Sequence, residues 1–548
     1  MRKSFLLGGA VAMLGLTACG DPLNVVNVNQ PDVERAYATP AGVEGVIAGL
    51  GSNFWNGNNG VRSSEGVNTQ SKWLSAESGS TVNNFGGAPR FAIPRSPISN
   101  SLGNDIQDGN RRQFQTFSVL TRTASNAVAA VYRLQANGGT IGSAGANERA
   151  KSFGYFVLAQ ALSSLAAAYD SAAIVTPATP SSEIPPLSGY AAVNAAAIQM
   201  FDSAEAAAVR AATDDANFTL PSTWLSTPGS ISRANFIRII RSMRARARVG
   251  AVRTPAETID WNAVIADATN GIQADLVQNV GGTTGWTAGY VAGQAYVASS
   301  WSYAPMYYYG MADTSGKYSE WLGTPRSTRA AFLVQTPDTR WPAGPTRDWQ
   351  IAEAPATVQL PAGRYMRNRP VGEDVANVGW AESWYDHRRF GAIYAGGGAG
   401  QYVEMDRAEN DLLAAEGYFR TGNFAQAATL VNVSRATAGL PPVGVTDATT
   451  PVAGGTACVP QVPAAPNYTS ATCGTLLEAI KYEKRMETAF TGFMQWFRDN
   501  RRWGDMIQGT ALEWPVPYQE MQARRKPYYD GQLVAPVGTY RFGNGADK

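Results

Sequence analysis

At 548 residues the chain has room for one large domain or for two or more. With 45 Lys and Arg against 43 Asp and Glu, a net charge of +2 and only 16% charged residues, there is no field to draw nucleic acid or strongly acidic partners. A hydrophobic share of 44% supports a real core, and 56 Gly with 31 Pro call for long ordered loops around it.

The chain opens Met1-Arg2-Lys3, runs through an uncharged, mostly apolar stretch from Phe5 to Leu16, and reaches Thr17-Ala18-Cys19-Gly20. A basic start, a short apolar run and small residues at the cut site make a secretory signal. The run is too short to span a bilayer core, which takes ~20 apolar residues. Leu16-Thr17-Ala18-Cys19 resembles the bacterial lipobox, in which the Cys thiol is acylated and becomes the new N-terminus; the alternative is an ordinary signal peptide with a chance Cys. No later segment reads as a second anchor. Lipidation of Cys19 leaves Cys458 and Cys473, an even pair that in an exported chain suggests a disulfide, with two free buried thiols as the alternative. A zinc site is excluded, since His387 is the single His and sulfur ligands are too few.

Residues 20–38 lack a helical period and read as a tether. Thr39-Pro40 is an N-cap and first-turn pair for a helix through Val43 and Ile47. A Gly/Asn/Ser-rich stretch covers about 52–110, and Ala-rich helices are predicted over 113–136, 147–169, 190–213, 231–250 and 258–275. From 276 to 400 Gly, Thr, Pro, Tyr and Trp dominate and no helix period lasts. Helices return over 401–419 and 424–438, where Met405, Ala408, Leu412, Ala415 and Phe419 form one apolar face. Arg420-Thr421-Gly422-Asn423 breaks it, with Gly422 as C-cap and Asn423 as N-cap. Such a hairpin cannot bury its face alone and is the unit from which TPR-type solenoids are stacked. A last helical block runs from 476 to about 507, and the fold class is mainly α.

The most distinctive segment is Tyr482-Glu483-Lys484-Arg485-Met486-Glu487, continuing through Phe490 and Gly492 to Trp496-Phe497-Arg498-Asp499-Asn500-Arg501-Arg502-Trp503-Gly504. Glu483 and Glu487 share a helix face, so a catalytic acid/base pair is conceivable. The competing and favoured reading is a buried Glu–Arg network in which Arg neighbours keep both carboxylates ionised, the wrong state for an acid. No catalytic residue is assigned. A Ser-His-Asp triad would need His387, which sits in the charged Asp386-His387-Arg388-Arg389 without a nucleophile elbow and reads as a partly exposed structural residue. Gly396-Gly397-Gly398 lacks the lysine and preceding strand of a phosphate loop. No metal site is assigned, although a calcium ion held by carboxylates and carbonyls stays open.

This segment resembles the C-terminal signature of the SusD/RagB family, with its spacing kept and departures at Thr491 and Gln495. Glu483, Arg485, Glu487, Trp496, Arg501, Arg502 and Trp503 carry the likeness. Ala414-Ala415-Glu416-Gly417-Tyr418-Phe419 with Arg435 to Pro441 is similar to the family's last hairpin, and Trp514-Pro515-Val516-Pro517-Tyr518-Gln519-Glu520 to its closing element. The resemblance is strong after 401 and thin before 280. It implies a TPR-containing SusD-type scaffold with a long loop-rich, ligand-facing region, and a non-enzymatic lipoprotein at the outer face of the outer membrane. Such a protein captures a nutrient, often a glycan, for a SusC-type TonB-dependent transporter, and has no cofactor beyond the lipid on Cys19. The segments expected are 1–18 signal peptide, 19–38 lipidated Cys and tether, 39–275 N-terminal helical region, 276–400 loop-rich aromatic region and 401–548 C-terminal helical region. Ligand contact is expected from Trp55, Trp73, Trp301, Tyr303, Tyr307 and Trp321, because sugars stack their C–H faces on aromatic rings; packing within the loops is the competing role. A surface polysaccharide hydrolase and a helical-repeat scaffold for envelope assembly are the rival functions.

Overall fold

The computed structural model describes residues 36–59, 66–80, 95, 97–102, 107–287, 302–325, 328–353, 360–373, 383–444, 447–465 and 467–536. The signal segment, Cys19 and Trp301 lie outside the described residues.

Helices dominate. Those of eight or more residues are α1 (Pro40–Asn59), α2 (Val67–Leu74), α3 (Gln107–Ala136), α4 (Ala144–Ala168), α5 (Tyr190–Arg210) and α6 (Arg233–Gly250). They continue with α7 (Trp261–Thr269), α8 (Arg407–Arg420), α9 (Phe424–Thr437), α10 (Leu476–Thr488) and α11 (Gln495–Trp503). Several start where a short polar side chain can satisfy the free N–H groups of the first turn. Thr39 accepts from Gly42 N at 3.1 Å, Ser143 from Ala146 N at 3.1 Å, Ser232 from Asn235 N at 3.3 Å and Asp260 from Ala263 N at 3.0 Å.

Packing runs from neighbour to neighbour: α1 on α3, α3 on α4, α4 on α5, α5 on α6, α6 on α7, α7 on α8, α8 on α9, and α8 and α9 on α10. The α8–α9 hairpin turns at Gly422 (φ 84°), and Asn423 accepts from Gln426 N at 3.2 Å. Its Leu412, Ala415, Ala427, Ala428 and Val431 share a small core with Leu476, Ala479 and Ile480 of α10. A larger core runs from Val43 to Ala535, so the two helical regions are built on common packing.

Strands are short and pair as antiparallel ribbons: β1 (Gly79–Ser80) with β5 (Ser302–Tyr303), β2 (Ser171–Ala173) with β3 (Leu187–Gly189), β4 (Leu276–Val280) with β8 (Gly400–Met405), β6 (Met366–Asn368) with β7 (Tyr385–His387), and β9 (Gln461–Pro463) with β10 (Ala471–Cys473). The β4–β8 ribbon, which pairs Leu276 with Met405 and, after a register shift, Val277 with Val403 through Val280 with Gly400, clamps the base of the loop-rich excursion. Residues 401–405 are therefore strand, not helix. Their partner β4 takes the backbone hydrogen bonds, and the helix begins only after Asp406, whose side chain accepts from Glu409 N. The last block is likewise two helices. Phe490 (φ 60°), Gly492 (φ 53°) and Met494 (φ 56°) are left-handed and break it, and the freed N–H groups of Phe490 and Met494 donate to Glu77 Oε1 (2.6 Å) and Asn68 Oδ1 (3.1 Å). Cys458 and Cys473 are joined in a disulfide beside the β9–β10 hairpin.

Candidate functional site

The C-terminal signature is a buried fastening. Arg501 donates to the carbonyls of Ala167 (3.0 Å), Gly250 (3.0 Å), Val252 (3.0 Å) and Leu512 (2.7 Å), and Arg498 to those of Gly250 (3.2 Å) and Arg246 (3.2 Å). The carbonyls of Ala167, Arg246 and Gly250 lie in the last turns of α4 and α6, where helices leave acceptors unsatisfied and carry partial negative charge. Burial, with repulsion from Arg246, lowers the Arg498 guanidinium to about 10. Arg502 binds Glu416 of α8 and Asp499 (2.9 Å). Arg485 donates to Asn500 at 2.8 Å and to Asp505, with its guanidinium 5.1 Å from the Trp503 ring. Trp496 packs 4.9 Å from Tyr309.

Glu483 and Glu487 converge on one cation. Arg340 lies 3.0 Å from Glu483, 2.8 Å from Glu487 and 2.7 Å from Asp338. Glu483 is fully buried and accepts from Ser434 Oγ at 2.7 Å. At Glu483 burial outweighs Arg340 and pushes its carboxyl up from its ordinary value. Glu487 alone lines a recess, of about 130 Å³ between α8 and α9, below the ~300 Å³ of small ligand pockets. The pair thus does not face a common cleft. His387, expected to be partly exposed, is buried on β7 against the rings of Phe490 (5.1 Å) and Tyr365 (5.9 Å). Burial and Arg389 hold its imidazole down at about 3, so it is neutral at physiological pH.

Five of the six aromatic residues expected to contact a ligand are core. Trp55, Trp73, Tyr303, Tyr307 and Trp321 are between 1% and 4% exposed. Trp55 donates to Thr287 O at 2.6 Å and packs on Tyr402 (5.1 Å) and Trp286 (5.7 Å). Trp321 meets Tyr307 edge-on at 5.3 Å and the Arg329 guanidinium at 4.3 Å. Irregular segments have no repeating aliphatic face, so their large rings supply the packing instead. No face of these five is free for a sugar.

Trp349, which sequence reasoning passed over, is 60% exposed on the short helix Arg347–Ala352. Its backbone N–H donates to Thr346 Oγ1 at 3.3 Å, and one edge of the indole rests on Gly344 (φ 127°), where a Cβ would lie only 2.5 Å from its Cδ1. Arg347 stacks 4.6 Å from half-buried Trp384 and donates to Arg369 O at 3.1 Å, and exposed Val371 lies two residues beyond. The indole of Trp349 is thus an outward ring with an open face, of the kind on which a sugar ring can stack, and Asp348 beside it is exposed as well. Its signal in the sequence is a Trp set among polar residues, Thr346-Arg347-Asp348-Trp349-Gln350.

Among the described residues no helix is long and apolar enough to cross a membrane, and no group of three or more His, Cys, Asp or Glu is placed to hold a metal ion. No protein-family model and no curated protein matches the chain. Similar solved structures include a SusD-like protein from Bacteroides fragilis, with 15% identity and a TM-score of 0.49 over 91% of this chain and 98% of that one. A SusD superfamily protein from Bacteroides vulgatus gives 12% identity and a TM-score of 0.47 over 89% and 90%. A laminarin-binding SusD-like protein gives 15% and 0.44 over 90% and 98%.

Proposed function

We propose that this chain is a SusD/RagB-type surface lipoprotein, tethered to the outer membrane through a lipid on Cys19. It binds a nutrient, foremost an oligosaccharide, and delivers it to a SusC-type TonB-dependent transporter, without catalysing a reaction itself. The observation that carries this reading is the C-terminal block. Its sequence resembles the family signature, and its Arg and Trp residues fasten α11 to the ends of α4 and α6 and to α8. The ligand face of this reading is the loop-rich region at Trp349. A hydrolase would need two carboxylates flanking one cleft, ~5–10 Å apart, and the Glu483–Glu487 pair is closed around Arg340.

Titration calorimetry of the mature chain against oligosaccharides of differing linkage tests this. At least one should bind, and Trp349→Ala should weaken it about tenfold, equivalent to ~1.4 kcal/mol, without altering thermal stability. Absence of binding by every oligosaccharide, or binding indifferent to Trp349, would overturn the ligand assignment.

A further inference from the structure

A cleft of about 450 Å³ opens between the first turns of α6, the loop 227–231 and residues 272–277. Its floor is aliphatic, made by buried Ile231, Ile239, Ile272 and Leu276, and among the described residues no aromatic ring lines it. Asn235 and Gln273 stand at its rim, where among the described residues Arg238 is the one cation and Asp275 the one carboxylate. Arg238 differs from the other arginines of its helix. Arg233 pairs with Asp215, Arg241 with Glu205, Arg244 and Arg248 with Asp267, and Arg246 with Glu404 and Glu409. Arg238 donates only to the side-chain oxygen of Gln273 and has no ion-pair partner among the described residues. Asp275 accepts from the backbone N–H of Arg407 at 2.9 Å and likewise has no ion-pair partner among them.

We propose that this cleft binds a short apolar peptide. One uncommitted charge of each sign over a branched aliphatic floor matches a zwitterion with an aliphatic side chain: Arg238 receives the carboxylate, Asp275 the ammonium, and the isoleucines the side chain. A guanidinium presents the planar fork that grips a carboxylate at two points. A neutral sugar would find no aromatic ring among the described lining residues to stack on. The volume lies in the range of small-ligand sites, ~300–1,000 Å³. This site is separate from the Trp349 surface and does not depend on the oligosaccharide reading.

The test is calorimetric or saturation-transfer NMR titration of the mature chain with leucyl-leucine, with N-acetyl-leucyl-leucine amide, which lacks both charges, and with maltose. Leucyl-leucine should bind, the capped peptide about 100-fold more weakly, and Arg238→Gln and Asp275→Asn should each cost about tenfold. Both side chains are at the rim, so these variants should melt with the wild type. Ser230→Trp, at an exposed rim position, should block binding altogether. The proposal is overturned by no binding of leucyl-leucine at ~10 mM, by equal binding of capped and free peptide, by indifference to both charge substitutions, or by maltose binding that Ser230→Trp abolishes.

Discussion

Glu416→Gln probes the fastening between α8 and α11. Glu416 is fully buried, and its carboxylate accepts from Arg502 Nη2 at 2.8 Å, Trp503 Nε1 at 3.0 Å and Arg420 Nη2 at 3.3 Å. Burial alone would push its carboxyl up, but Arg502, Arg420 and Lys484 prevail and lower it from 4.5 to about 2. Because the folded value lies below the unfolded one, the ion pair's contribution is fully present above pH ~4.5 and is lost as pH falls toward ~2. The lowering from 4.5 to about 2 corresponds to ~3 kcal/mol at pH 7, of which ~1.5 kcal/mol remains at pH 3. Gln has the shape of the neutral acid, so the stability difference between wild type and Glu416→Gln should shrink by ~2 kcal/mol between those two pH values. Urea unfolding followed by Trp fluorescence at pH 7 and pH 3 measures it. A difference of equal size at both pH values, or one below ~1 kcal/mol at pH 7, would show that the carboxylate's charge does not stabilise this junction.

Two further substitutions follow from the same packing. An added Cβ at Gly250 would overlap the Arg498 guanidinium, which is held by the Gly250 and Arg246 carbonyls; Gly250→Ala should therefore cost ~2 kcal/mol in denaturant unfolding, whereas Gly45→Ala, inside α1 where the added atom meets nothing, should stabilise by about 0.5–1 kcal/mol. The Cys458–Cys473 bond closes a separation of 15 residues, so the Cys458→Ser, Cys473→Ser double variant should lose ~3 kcal/mol, read as a lower unfolding midpoint that added reductant reproduces in the wild type.

Helix positions were legible where cap chemistry is local. Thr39, Gly422 and Asn423 announce their turns in the neighbouring residues, and the structure uses all three. Met405 misled because its spacing to Ala408 and Leu412 continues the helical face, while the β4 partner that makes 400–405 a strand lies more than 100 residues earlier. The same limit hid what Arg498 and Arg501 do. Their acceptors, Gly250 and Ala167, are 248 and 334 residues away, so the sequence shows the arginines but not the helix ends they satisfy. His387 stands among charged residues in sequence, yet Phe490 covers it in space. The burial of Trp55, Trp73, Tyr303, Tyr307 and Trp321 was illegible for a related reason: ring type does not distinguish a residue that packs a loop from one that faces solvent. Trp321 and Trp349 differ in their partners, Tyr307 and Arg329 for the first and the backbone of Gly344 for the second.

Capture of nutrients for a membrane transporter is tested most directly by tagging the full chain at its C-terminus, extracting membranes in mild detergent and identifying what co-purifies. The expected result is a large TonB-dependent β-barrel in near-equal amount, with the tagged chain carrying a lipid at Cys19. Recovery with periplasmic proteins alone, or of an unacylated chain without a barrel, would contradict it.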